Sequence, residues 1–191
     1  MSLLYLAPMG SAAGEAVDRM EKQLARTFRL PTKRLGGLTE PPSAHDPSRG
    51  QWRSDEVLKD LLCHLPDDAS RLLGVSERDL FLPILTFVYG QAQLHGKVAV
   101  VSLARLRPEF HGLPPDPELL AERAGKEAVH EVGHTFGLVH CLDQRCPMAL
   151  STGLAELDLK TAEPCPSCSA LLAGSLDMHR TRSEDRGRRE G

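Results

Sequence analysis

The sequence predicts an α/β fold, and three observations carry that expectation. Short apolar, β-rich runs alternate with segments of helical period, no stretch of the chain repeats, and one long capped helix follows the last apolar run. At 191 residues the chain suffices for one compact domain with its own hydrophobic core, or for one domain with a small satellite.

The elements follow in order. LLYLAP, residues 3–8, has an apolar run too short for a signal peptide and no positive charge before it, which makes it a strand. GEAVDRMEKQLARTF, residues 14–28, places Val17, Met20, Leu24 and Phe28 on one helical face, and TKRLGGL, residues 32–38, is a second strand, so the chain opens β-α-β. Residues 39–52, rich in Pro, Ser, Asp and Gly, read as an exposed loop. The helix SDEVLKDLLCHL follows, with Ser54 as expected N-cap and Cys63 as an ordinary buried thiol. Residues 78–94 and 97–106 are β-rich and joined by the turn His95-Gly96, giving two or three neighbouring strands. After the loop at 107–116, Asp116 and Pro117 open a helix that runs to Gly137.

Charge and composition exclude several functions. A net charge of −3 offers no basic field for a phosphate backbone, and the arginine-rich end, residues 180–191, mixes both signs as a flexible, solvated tail does. No apolar segment approaches the roughly 20 residues a membrane span needs. The expectation is a cytoplasmic monomer without nucleic-acid or membrane partners. Five cysteines in a reducing compartment then point to metal rather than disulfides.

The long helix carries the most specific signal. His130 and His134 are four residues apart, which on a helix sets both imidazoles on one face, roughly 40° apart, suited to one ion. Glu131 projects beside that ion and can take a proton from water activated by it. Gly137 can end the helix sharply and return the chain, making His140 a third ligand. Three imidazoles with an open position fit a catalytic zinc. A lone surface pair of histidines is the alternative, but HEVGHTFGLVH specifies more than a pair. Arg123 and Glu127, on the same stripe, read as a solvent-exposed ion pair. His45, His64, His95, His111 and His179 have no ligand spacing.

Cys141, Cys146, Cys165 and Cys168 form C-x4-C-x18-C-x2-C, close to the two-pair spacing of structural zinc. Scattered core cysteines or a redox CPSC are the alternatives; a redox pair leaves the other two cysteines unexplained. Two zinc ions are therefore expected, one catalytic and one structural.

HEVGHTFGLVHC, then CPM, then CPSC, resembles the archaemetzincins, metzincin-clan zinc peptidases in which the third histidine is followed directly by a cysteine. The resemblance implies that His130, His134 and His140 bind catalytic zinc, that Glu131 is general base and acid, and that Met148 forms an apolar floor beneath the metal. It also implies that Cys141, Cys146, Cys165 and Cys168 hold the second zinc. The implied fold is a twisted mixed sheet with an active-site helix, in parts spanning 1–140 and 141–180, with the charged tail at 181–191. An edge strand along Thr86 to Ala92, with Phe87, Val88, Tyr89 and Gly90 at its centre, would take a peptide or small protein substrate as an added strand. The expected activity is zinc-dependent peptide hydrolysis. A catalytically silent scaffold of the same fold is the alternative, against which the intact Glu131 argues, and a zinc-ribbon nucleic-acid module lacks basic and aromatic residues between its cysteines.

Overall fold

The structure, a computed structural model, describes residues 3–12 and 14–187. The chain runs β1 (Leu3–Pro8), α1 (Glu15–Phe28), β2 (Thr32–Arg34), β3 (His45–Asp46), β4 (Gln51–Arg53), α2 (Ser54–Cys63), β5 (Ala69–Ser76), β6 (Leu80–Phe81), β7 (Gly90–Ala92), β8 (Val98–Ser102), α3 (Pro117–Thr135), α4 (Leu154–Leu159) and α5 (Pro166–Gly187). The main sheet has the order β2-β1-β5-β8-β7, parallel except for β7, which lies antiparallel to β8 at one edge. This is the mixed α/β sheet that the alternation of elements predicts.

Side-chain alternation explains the layering. In β1, Leu4 and Leu6 join the core on one face and Tyr5 and Ala7 the core on the other; in β8, Ala99 and Val101 oppose Val98 and Val100. Strands buried on both faces need continuous apolar runs, and that is what these strands are. On the first face lie α1 and α3, with Val17, Met20, Leu24 and Phe28 all buried and the Phe28 and Phe136 rings stacked at 5.2 Å. Against the second face packs α2, through Val57, Leu58 and Leu61. The first cluster continues past residue 140 into Cys146, Met148, Leu157, Cys168 and Leu172, so the C-terminal part shares its core with the sheet.

Several local expectations are corrected. β5 is the central strand of the sheet, yet ASRLLGVS carries neither alternation nor β-branched enrichment and gives no strand signal in the sequence. The segment 39–52 is not simply a loop: β3, β4 and β6 make a small second sheet. Ser54 is the first residue of α2 rather than its cap; its hydroxyl is buried and donates to Phe81 O, tying the start of α2 to β6 of the small sheet. Cys63 is exposed, on the outer face of α2. Asp116 does cap α3, accepting from Leu119 N at 2.9 Å. Helix α5 carries on beyond residue 180 to Gly187, while residues 188–191 of the expected tail lie outside the described residues.

Arg123 and Glu127 are the largest correction. Both are buried rather than solvent-exposed, and they do not pair: Arg123 makes a two-pronged ion pair with Asp158, at 2.7 and 2.6 Å, and donates to Leu106 O. The reason is that α3 is covered nearly all round by α1, the sheet and α4, so a stripe that elsewhere faces water lies inside. Among the described residues no helix is long and apolar enough to cross a membrane.

Candidate metal centres

α3 delivers the first centre at its C-terminal end. Its last turn is held by a buried arginine of β5: Arg71 donates from Nε to Thr135 Oγ1 at 2.9 Å and from Nη2 to Thr135 O at 3.2 Å. The chain then reverses at Gly137, whose φ of +90° only glycine adopts without strain, and a side chain there would also collide with the His95 ring. His95, which the sequence leaves without a role, thus packs on the turn that returns His140, and its N–H donates to His134 O.

The reversal brings His130, His134 and His140 together, with ring centroids 4.5, 5.3 and 5.0 Å apart. His130 Nδ1 donates to Pro147 O and His134 Nδ1 to Leu138 O, both at 2.7 Å. Those bonds fix the tautomers and leave the Nε2 lone pairs aimed inward, 3.0 Å from each other. Two such lone pairs repel unless a cation lies between them. Burial lowers the pKa of all three histidines, most strongly at His130, which keeps them in the neutral form a metal requires.

Glu131 is 5% exposed and packs directly on β7: a Cβ at Gly90 would fall 2.6 Å from Glu131 Cγ. Burial, reinforced by Glu127 one turn earlier, holds its carboxyl well above the usual range. Glu127 is 4% exposed, and burial pushes it up to about 7 against the pull of Lys160. Lys160, from the end of α4, is equally buried and donates to Pro147 O at 3.2 Å and to Ala149 O. The sequence pattern places Glu127 on the histidine stripe but reads it as solvent-exposed, and it gives Lys160 no signal at all.

These residues line a cavity of about 510 Å³, with Phe87, Val88, Tyr89 and Gly90 on one wall and Leu150, Ser151 and Thr152 on another. Of the expected edge strand only Gly90–Ala92 is strand in the main sheet; Val88 instead bridges Leu80 of the small sheet. Met148 is fully buried against α3, where a Cβ at Gly133 would come within 2.5 Å of its sulfur.

The second centre gathers Cys141, Cys146, Cys165 and Cys168, whose sulfurs all lie within 4.8 Å of one another. Cys141 and Cys165 sulfurs are 3.8 Å apart, and a tetrahedral zinc with bonds of about 2.3 Å would separate its sulfurs by about 3.8 Å. Burial raises the Cys146 and Cys168 thiols, so thiolates there call for a cation. Among the described residues these two clusters are the groups of three or more metal-ligating side chains that converge in this way.

Comparison with known proteins agrees with this geometry. Residues 50–173 match the profile of peptidase family M54. An archaemetzincin of Methanocaldococcus jannaschii is 41% identical over 165 residues, 86% of this chain and 89% of that protein. One from Methanopyrus kandleri is 41% identical over 160 residues, 84% and 87% of the two chains. The crystal structure of the M. kandleri archaemetzincin superposes with a TM-score of 0.82 at 38% identity, over 92% of this chain and 96% of that one. A zinc-dependent peptidase from Methanocorpusculum labreanum gives 0.80 at 29% identity, over 88% and 99%.

Proposed function

Because the chain belongs to peptidase family M54 and is a zinc metallopeptidase of the archaemetzincin type, we propose that it hydrolyses peptide bonds with Glu131 as general base and acid. The observation that carries this reading is the convergence of His130, His134 and His140 beside a buried carboxylate on the wall of a peptide-sized cavity. The three imidazoles would hold the catalytic zinc, and the four cysteines a structural one.

Zinc bound there would supply Lewis-acid polarisation of the scissile carbonyl and of water. The protein's own groups do the rest. Glu131 takes a proton from the attacking water and returns it to the leaving amine; a carboxyl whose proton affinity burial has raised suits both halves of that cycle. His130 and His134 stay oriented through their bonds to Pro147 O and Leu138 O. Lys160 secures the Pro147–Ala149 carbonyls and brings a positive charge toward Glu131 and Glu127.

Substrate would lie along β7. Tyr89 O and Gln93 N bond to β8, and strict antiparallel alternation turns the main-chain groups of Gly90 and Ala92 outward, free to pair with an added strand. Elemental analysis tests the metal assignment: chelator-free, reconstituted protein should hold two zinc ions per chain and His134→Ala one. A maximum of one zinc that His134→Ala leaves unchanged would overturn it.

A further inference from the structure

The proposed hydrolysis uses one carboxylate, Glu131, yet the cavity holds a second, one turn earlier on α3. Glu127 lines the cavity and is 4% exposed. Among the described residues no hydrogen bond or ion pair within contact distance engages its carboxylate, whose charged neighbour acts on it through space. Buried carboxylates ordinarily accept several hydrogen bonds, and one open only to a cavity is costly to the free protein.

The surroundings do not meet that need. Lys160, the nearby cation, gives two of its three donors to Pro147 O and Ala149 O rather than to Glu127. The charge of Lys160 acts on both Glu127 and Glu131 only from beyond contact distance, and among the described residues no ion pair joins it to either carboxylate. Gln91 and Ser151 line the same cavity, and their Oε1 and Oγ atoms also lack hydrogen-bond partners among the described residues.

From this geometry we infer that the cavity contains a subsite for a cationic group of the substrate, an ammonium or guanidinium, with Glu127 as its charge partner. One helical turn, about 5.4 Å along the axis, separates Glu127 from Glu131. That distance is the reach of a lysine or arginine side chain, or of a free amino terminus, on a residue next to the scissile bond. The chemistry recognised is the same in both cases, a hydrogen-bonded cation on a desolvated carboxylate. Charge-assisted pairing in such a site makes Glu127 a specificity-determining residue, because a substrate without the cation leaves the carboxylate unpaired. The inference rests on the peptidase reading for the identity of the ligand as substrate, while its test requires no turnover.

The experiment is a chemical-shift titration of the zinc-loaded protein with three small amides of similar shape. N-acetyl-lysinamide carries only a side-chain ammonium, norleucinamide only an α-ammonium, and N-acetylnorleucinamide neither. At least one cationic amide should bind ten times or more tighter than the neutral one, and Glu127→Gln should abolish that preference while leaving the neutral amide unchanged. Preference for N-acetyl-lysinamide would place a basic side chain in the subsite; preference for norleucinamide would make it an amino-terminus site. Equal binding of all three to the wild-type protein, or a preference that survives Glu127→Gln, would overturn the inference. A protein that binds the cations but hydrolyses no peptide would contradict the peptidase reading and leave the subsite standing.

Discussion

The backbone N–H of Cys141 donates to the carbonyl oxygen of Met148 at 2.9 Å, so the first residue of the cysteine cluster is bonded to the methionine that packs against Gly133 of the histidine-bearing helix. One residue earlier, Pro147 O accepts from His130 Nδ1, and Cys146 precedes it directly. The two candidate metal centres therefore share one short piece of backbone.

That sharing has a measurable consequence. A four-thiolate zinc contributes an apparent ~10 to 16 kcal/mol that becomes folding free energy, enough to order residues 138–168. Cys165→Ser or Cys168→Ser should weaken zinc binding at the histidines by about 10- to 100-fold, as loss of outer-shell support does elsewhere, and increase hydrogen exchange in that segment. Competitive chelation reads the affinity. Unchanged affinity with unchanged exchange would show the centres to be independent.

Gly90 is where β7 touches Glu131. A Cβ there would fall 2.7 Å from both Glu131 Oε1 and Val100 O, and backbone cannot yield as a side chain can. Gly90→Ala is expected to cost roughly 1–3 kcal/mol of stability and to lower kcat/KM by at least about tenfold through displacement of the carboxylate. Thermal unfolding and peptide kinetics on the same preparation separate the two effects. Full activity would mean that β7 does not set the position of Glu131.

Glu127 also predicts a dependence on pH. Its carboxyl is raised from 4.5 to about 7, so between those values the folded chain keeps a proton that the unfolded chain has released. Stability therefore falls as pH rises through that window, and the penalty is complete above it. With the histidine site stripped of metal, Glu127→Gln should be more stable than the parent above pH 7, by on the order of 3 kcal/mol, with the gain vanishing below about pH 4. Urea unfolding across the range measures this; parallel curves would show that Glu127 titrates normally.

The sequence made the two converging clusters of metal-binding side-chain types legible because their geometry is local. His130 and His134 follow from helical spacing, His140 from the glycine that ends the helix, and the cysteine pairs from their intervals. β5 was illegible because a central strand is specified by its neighbours: LLGV is a short apolar run that fits a helix or a strand alone, and only pairing with β1 and β8 decides. Arg123 and Glu127 were visible at the right spacing, but charged residues on a helix usually face water, and only the packing of α1 and α4 onto α3 puts these inside. Lys160 lies 30 residues beyond His130 in sequence and reaches it through a shared acceptor, Pro147 O, a relationship that no local pattern encodes.

The most direct test of the central claim is a paired measurement on Glu131→Gln: zinc content, and hydrolysis of a mixed peptide library followed by mass spectrometry. The substitution keeps the shape of a side chain that is not a ligand and removes its ability to accept and return a proton. Two zinc ions per chain, with hydrolysis reduced by at least about a hundredfold relative to the parent, is the expected result. Hydrolysis at the parental rate with both zinc ions in place would contradict the role assigned to Glu131.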